Sequence, residues 1–313
     1  METLKLPLAQ YRVHARALST IQLPAYTGSA WRGLFGHSLK SVVCVTGKPE
    51  CGGCLLYRNC VYSYVFETPP PADTTVMRKY TAAPHPFVII PDPAQKTTVE
   101  AGEDLQVYFT VFGAGNQHVP YMLYAFEKAG ERGLGSAQGQ FEVTGLSQRS
   151  DLWQRVYTPG ESLQLLPPLM PEVPPCPSGE VVVSFNTPLR LRLKGREIKA
   201  AELDFYALFS VLMRRISLLQ SFHTDQSLEL DFKALSAQAR EVPVLKRELY
   251  WQDWTRYSSR QKTPVKMGGL MGQITLSGDS LQAFWPILFL GQFTHTGKGT
   301  SMGLGAFSLG FCS

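Results

Sequence analysis

Six histidines are available for acid–base chemistry, and one sits in a chemically suggestive run. His37 lies in Trp31-Arg32-Gly33-Leu34-Phe35-Gly36-His37-Ser38-Leu39-Lys40, with Lys40 one helical turn after it and Arg32 five residues before. An imidazole that titrates near neutrality, beside cations that stabilise a pentacoordinate phosphate, can cleave RNA by general acid–base catalysis without a metal. His295, just before a glycine-rich loop, has a similar claim and is the reserve candidate. A lone histidine on a helix is more often a packing residue. His14, His85, His118 and His223 have weaker contexts.

Cys44, Cys51, Cys54 and Cys60 fall within seventeen residues. The glycines of Cys51-Gly52-Gly53-Cys54 let the backbone wrap an ion, and soft thiolates suit zinc or an iron–sulfur cluster. In a reducing compartment a metal is a better use of such a cluster than a disulfide framework. The spacing matches none of the common two-pair patterns, and a metal-free cluster is the alternative. Four protein thiolates leave no open coordination position, so the expected role is structural: zinc first, an iron–sulfur cluster second, and no cofactor for catalysis. Cys176 and Cys312 read as packing residues.

Gly297-Lys298-Gly299-Thr300-Ser301-Met302-Gly303-Leu304-Gly305 is the densest glycine cluster. It is not a Walker loop, because Gly299 rather than Ser or Thr follows Lys298, and it leads into a strand rather than a helix. Close backbone approach, free N–H groups and one cation suit a nucleic-acid backbone instead; a purely structural turn is the alternative. In Pro188-Leu189-Arg190-Leu191-Arg192-Leu193-Lys194, strand alternation sets Arg190, Arg192 and Lys194 on one face. That face suits phosphates or, alternatively, a solvated edge. The stretch from Lys246 to Lys266 interleaves Arg247, Arg256, Arg260 and Lys262 with Tyr250, Trp251, Trp254 and Tyr257. Cations and aromatic planes together are what single-stranded RNA recognition needs, although no more than about half of these aromatics are expected outside the core.

These groups must be carried by a fold. Six prolines in Pro167–Pro177 exclude a helix or central strand and place a connector over 167–179, between domains 1–166 and 180–313. Strands are expected over Leu4–Ala17, Leu105–Phe112 and Phe141–Leu146, extended segments over Tyr62–Phe66 and Phe87–Ile90, and helices over Gly28–Val43 and Val119–Ala129. After the connector come a strand from Glu180 to Lys194, a helix from Ala201 to Phe222, extended segments over Leu245–Tyr257 and Met267–Leu276, a short helix from Leu281 to Leu290 despite Pro286, and a strand over Ala306–Phe311. Each half reads β-α-β-β-α-β, which predicts an α+β protein of tandem ferredoxin-like, RRM-like domains with a cysteine-rich insert at 44–60 in the first. One larger α+β domain is the alternative.

Composition sets outer limits. The chain has 313 residues, 44% hydrophobic and 18% charged, which excludes wholesale disorder. No apolar run is long enough to span a membrane and no secretory signal is evident, so a cytoplasmic protein is expected. The net charge is +5; residues 1–179 carry 14 acids and 14 bases, residues 180–313 carry 11 and 16. The excess belongs to the half with the basic strand and glycine loop, as a polyanionic partner would favour.

Leu23-Pro24-Ala25-Tyr26-Thr27-Gly28-Ser29-Ala30-Trp31-Arg32-Gly33, the insert ending in Tyr62-Ser63-Tyr64-Val65-Phe66-Glu67, and the loop from His295 to Gly305 together resemble one family. It is the CRISPR-associated precursor-crRNA-processing endoribonuclease of the RAMP superfamily, in the branch with a cysteine-rich insert. The resemblance implies two ferredoxin-like folds and metal-independent cleavage of CRISPR repeat RNA. The RNA's own 2′-hydroxyl attacks the adjacent phosphate and leaves a 2′,3′-cyclic phosphate. It implies a catalytic histidine in or just after the first helix, where His37 stands, with Tyr26 and Lys40 as candidates for its helpers. Arg32, Arg190, Arg192, Lys194, Arg256, Arg260, Lys262, Gly297, Lys298, Gly299, Gly303 and Gly305 are the expected RNA contacts. The expected partners are CRISPR repeat RNA or crRNA and subunits of an effector complex, with the protein a monomer or homodimer. The alternative is a non-catalytic crRNA-binding subunit.

Overall fold

The computed structural model describes residues 4–70, 83–193, 195–258 and 263–312. Two compact units divide between Met170 and Pro171, inside the proline run: Leu6–Met170 with Phe222–Asp225, and Pro171–Ser221 with Gln226–Ser313 and the extreme N-terminus.

In the N-terminal unit, β1 (Leu8–Ala17), β2 (Phe87–Pro91), β3 (Asp104–Phe112), β4 (Phe141–Arg149) and β5 (Trp153–Tyr157) form an antiparallel sheet in the order β2-β3-β1-β4-β5. Alternation along β1 buries Tyr11, Val13 and Ala15 and sets Arg12, His14 and Arg16 on the opposite face. Two helices, α1 (Gly28–Val43) and α2 (Val119–Arg132), cover the apolar face. Trp31, Phe35 and Leu39, four residues apart, are the buried stripe of α1. Phe35 stacks on Phe126 of α2 at 5.0 Å, and Trp31 meets Phe141 edge-on at 5.5 Å. Each fully buried phenylalanine contributes about 1.5–3 kcal/mol, so this aromatic cluster is the main support of α1 and α2.

The extended segment expected over Tyr62–Phe66 is instead a wide helical turn, Ser63–Glu67, closed by the Thr68 amide donating to the Ser63 carbonyl at 2.6 Å. That turn buries Val65 and lays Phe66 over Gly36 of α1, where any β-carbon would run into the ring. Tertiary packing overrides the local β preference of the aromatic residues.

The C-terminal unit repeats the order with β6 (Glu180–Leu189), α3 (Phe205–His223), a short α4 (Phe232–Gln238), β7 (Val244–Gln252), β8 (Gly269–Ser277), α5 (Trp285–Thr294) and β9 (Phe307–Cys312). Its antiparallel sheet runs β7-β8-β6-β9. Val181, Val183 and Phe185 share a core with Leu208 and Leu212 of α3 and Ile287 of α5. Pro286 falls in the first turn of α5, where its missing N–H costs nothing. The strand expected to run to Lys194 stops at Leu189, and Arg192–Leu193 joins a separate two-residue ladder with Arg196–Glu197. The carbonyls of Pro188 and Arg190 are taken by glycine-loop amides, Gly305 at 3.1 Å and Lys298 at 2.9 Å, which ends the ladder. Both units are therefore β-α-β-β-α-β, and the tandem ferredoxin-like architecture holds. Among the described residues, no helix is long and apolar enough to cross a membrane.

Candidate active site and nucleic-acid interface

The packing of α1 and α2 decides which histidine meets solvent. His37 is the exposed one of the six. His14 Nε2 lies 2.9 Å from the Ser147 hydroxyl, and burial, with Arg155 and Arg12 nearby, lowers its pKa to about 4. His85 faces Arg32 Nη2 at 3.2 Å and the Thr68 hydroxyl at 2.8 Å. The guanidinium can only donate, so His85 Nε2 accepts and its Nδ1–H donates to Thr68. His223 donates from Nε2 to the Pro84 carbonyl at 2.8 Å and accepts the Tyr64 hydroxyl at Nδ1, 2.9 Å away. His118 packs 5.0 Å from the Tyr64 ring, and burial pushes its pKa down.

His295, the reserve candidate, is only 2% exposed. Burial first, and then the nearby Arg215, lowers its pKa to about 3 against weaker backbone hydrogen bonds at Leu304 and Gly303. An enclosed, neutral imidazole is not offered to a substrate here. It is buried at the start of the glycine loop it precedes.

Around His37 the surface is open. Gly33, one turn earlier on α1, has nothing within 4 Å of where a β-carbon would stand. Arg132, at the end of α2, donates from Nη1 to the His37 carbonyl at 3.5 Å, which brings a cation beside the imidazole's own residue. Sequence reasoning missed Arg132 because 95 residues separate the pair and only the α1–α2 packing joins them. The other expected helpers are engaged elsewhere. Lys40 donates to the Pro49 carbonyl at 2.6 Å and sits 5.5 Å from the Tyr62 ring centre, which ties it to the cysteine insert. Tyr26 is half-buried, and burial raises its phenol above the ordinary range. Arg32 lies 4.5 Å over the Phe66 ring as well as against His85.

In the C-terminal unit, Gly297, Gly299, Gly303 and Gly305 all take positive φ. A methyl group at Gly305 would strike the Thr296 carbonyl oxygen, so the loop's closure requires glycine there. Its amides are less available than the sequence suggested. Those of Thr296, Lys298, Met302, Gly303, Leu304 and Gly305 are bonded to backbone carbonyls, which knits the loop to itself and to the end of β6. The exposed Lys298 side chain remains its cationic offering.

Arg190 and Arg192 share the Glu197 carboxylate at 3.3 and 3.5 Å, so the expected cationic face is partly neutralised. Arg256 is half-buried with its Nε enclosed and without a hydrogen-bond partner. Lys194, Arg260 and Lys262 lie outside the described residues. Tyr250 and Trp251 are exposed on β7.

The four insert cysteines line one small cavity, about 30 Å³, with Lys40, Glu50 and Tyr62. The Thr46 hydroxyl stands 3.8 Å from Cys44 Sγ and 3.7 Å from Cys54 Sγ. In this arrangement no three ligating side chains among the described residues are gathered into a set that would hold an ion. The four thiols therefore share one cavity.

Comparison with known proteins bears on the family and the fold. Residues 6–169 match the family model AF_1859_N, described as an N-terminal domain, and residues 183–307 match the model for the CRISPR-associated endoribonuclease Cas6. An uncharacterised protein of Archaeoglobus fulgidus is 29% identical over 125 residues, a match spanning 40% of this chain and 41% of that protein. A Cas6 product complex superposes with a TM-score of 0.58 at 15% identity, over 97% of this chain and 99% of that one. Thermus thermophilus Cas6 superposes at 0.53 and 16% identity, over 97% and 98%. A partial Cas6–RT–Cas1–Cas2 complex does so at 0.58 and 13%, over 99% of this chain and 47% of that one. At such identities the structures speak to the fold, and the family models carry the kinship. The chain belongs to the family of the AF_1859_N model, which matches residues 6–169, and its residues 183–307 match the model for the CRISPR-associated endoribonuclease Cas6.

Proposed function

We propose that this chain is an endoribonuclease that cleaves CRISPR repeat RNA, with His37 carrying the proton transfer. The observation behind His37 is its exposure on α1, while the other five histidines are buried or half-buried among packing partners. In the proposed reaction the RNA 2′-oxygen bonds to the adjacent phosphorus and its proton passes to the imidazole. The bond from phosphorus to the 5′-oxygen breaks, and that oxygen takes up a proton. A 2′,3′-cyclic phosphate and a 5′-hydroxyl remain. Arg132 is suited to stabilise the charge that builds on the phosphate. Lys298, the exposed cation of the glycine loop, is suited to contact the RNA backbone. For the insert we carry structural zinc as a proposal, supported by four thiols lining one cavity.

Labelled repeat RNA incubated with the protein in EDTA tests the reading. It should be cut once, leaving a cyclic-phosphate end, and a 2′-deoxy substitution upstream of the scissile phosphate should abolish the cut. His37→Ala should lower the cleavage rate by at least about 100-fold while RNA binding persists. No cleavage of the cognate RNA by the unaltered protein would leave only the RNA-binding reading.

A further inference from the structure

The helices cover one face of the N-terminal sheet, and the other face carries an arrangement that the cleavage reading does not use. The strand register sets Arg12 opposite both Tyr108 and Ser147, and Ser147 opposite Arg155, so these side chains share that face with His14 and Trp153. The Arg12 guanidinium lies 4.8 Å from the Trp153 ring centre, and Tyr108 and Trp153 are 5.7 Å apart. Arg12 Nε is buried without a hydrogen-bond partner. Arg155 is exposed and borders an open cavity of about 480 Å³ with Tyr157, Glu161 and Gln164. Among the described residues neither Arg12 nor Arg155 is in an ion pair, whereas Asp104 on the same sheet is held by Arg16 at 3.2 Å. Glu161 lines the same cavity, and Glu142 stands opposite Arg16 in the register. Burial first, and then Arg155 and Arg12, lowers the His14 pKa, with Asp104 opposing.

We propose that this face, through Arg12, Tyr108, Trp153 and Arg155, binds unpaired nucleotides of the RNA substrate away from the scissile phosphate. The proposal rests on the RNA reading above and adds a second contact region in the unit whose overall charge balance gave no hint of one. Guanidiniums without partner carboxylates attract phosphates, and aromatic planes at this spacing accept unstacked bases of any sequence.

The test uses the full chain with two fluorescent RNAs, the cognate repeat and a uridine dodecamer without repeat sequence. Trp153→Ala and, separately, Arg155→Glu should each raise the dodecamer Kd by about fivefold or more, the effect of about one lost stacked base or phosphate contact. Arg155 is exposed, so its exchange guards against a Trp153 variant that fails to fold. Ultraviolet cross-linking and peptide mapping should place the dodecamer on segments containing Tyr108 or Trp153. Unchanged affinities with cross-links elsewhere would overturn the proposal. A protein that cleaves repeat RNA but ignores the dodecamer would also overturn it and leave the cleavage reading standing. A protein that binds neither RNA would sink both.

Discussion

Exchanging His295 for glutamine separates a buried structural imidazole from a catalytic one. In the folded chain burial and Arg215 lower the His295 pKa from 6.5 to about 3. Unfolding restores the ordinary value, so the unfolded state binds a proton that the folded state refuses. Stability is then fully present above about pH 7 and falls as the pH drops through 6.5 toward 3. At about 1.4 kcal/mol per pH unit, His295 alone should remove about 2 kcal/mol between pH 7 and pH 5. Urea unfolding followed by tryptophan fluorescence at both pH values measures it. The unaltered protein should lose about 2 kcal/mol more over that interval than His295→Gln. Each protein is compared with itself, so the cost of the exchange at neutral pH cancels. So do His14 and His118, whose lowered pKa values act in both proteins alike. Equal pH slopes in the two proteins would refute the reasoning, because they would mean that His295 takes its proton in the folded state.

Two other perturbations address the loop and the insert. Lys298→Ala should weaken binding of repeat RNA only a few-fold at low salt. It should also flatten the plot of log Kd against log salt by about 0.7, one single-strand phosphate contact; an unchanged slope would take Lys298 out of the interface. Elemental analysis of protein prepared without chelators should find about one equivalent of zinc, lost when Cys51 and Cys54 are both exchanged for serine. Less than half an equivalent would retire the zinc proposal.

The double β-α-β-β-α-β order was legible because each element carries its own periodicity. Tyr11, Val13 and Ala15 alternate along β1, and Trp31, Phe35 and Leu39 recur every four residues along α1. Local signals were weaker where a neighbour decides the conformation. Tyr62–Phe66 is rich in β-forming residues, yet it turns because Gly36 leaves room for Phe66 on α1. Likewise β6 stops at Leu189 because a loop more than a hundred residues later takes its carbonyls. The candidate site was legible in residue type and less so in partnership. Lys298 stands exposed, but Arg190 and Arg192 meet Glu197, and the loop amides expected to be free donate to backbone carbonyls of the loop, of Pro188 and of Arg190.

From the sequence alone came the two-domain repeat, the glycine loop, the clustered thiols and a histidine on the first helix, all features carried by short stretches of chain. Tertiary structure alone decided which histidine faces solvent, that Arg132 lies beside His37, and that Arg12, Tyr108, Trp153 and Arg155 share one open face. Burial and hydrogen-bond partnership depend on which segments the fold brings together, 95 positions apart for Arg132 and His37, and no local pattern of residue types encodes that.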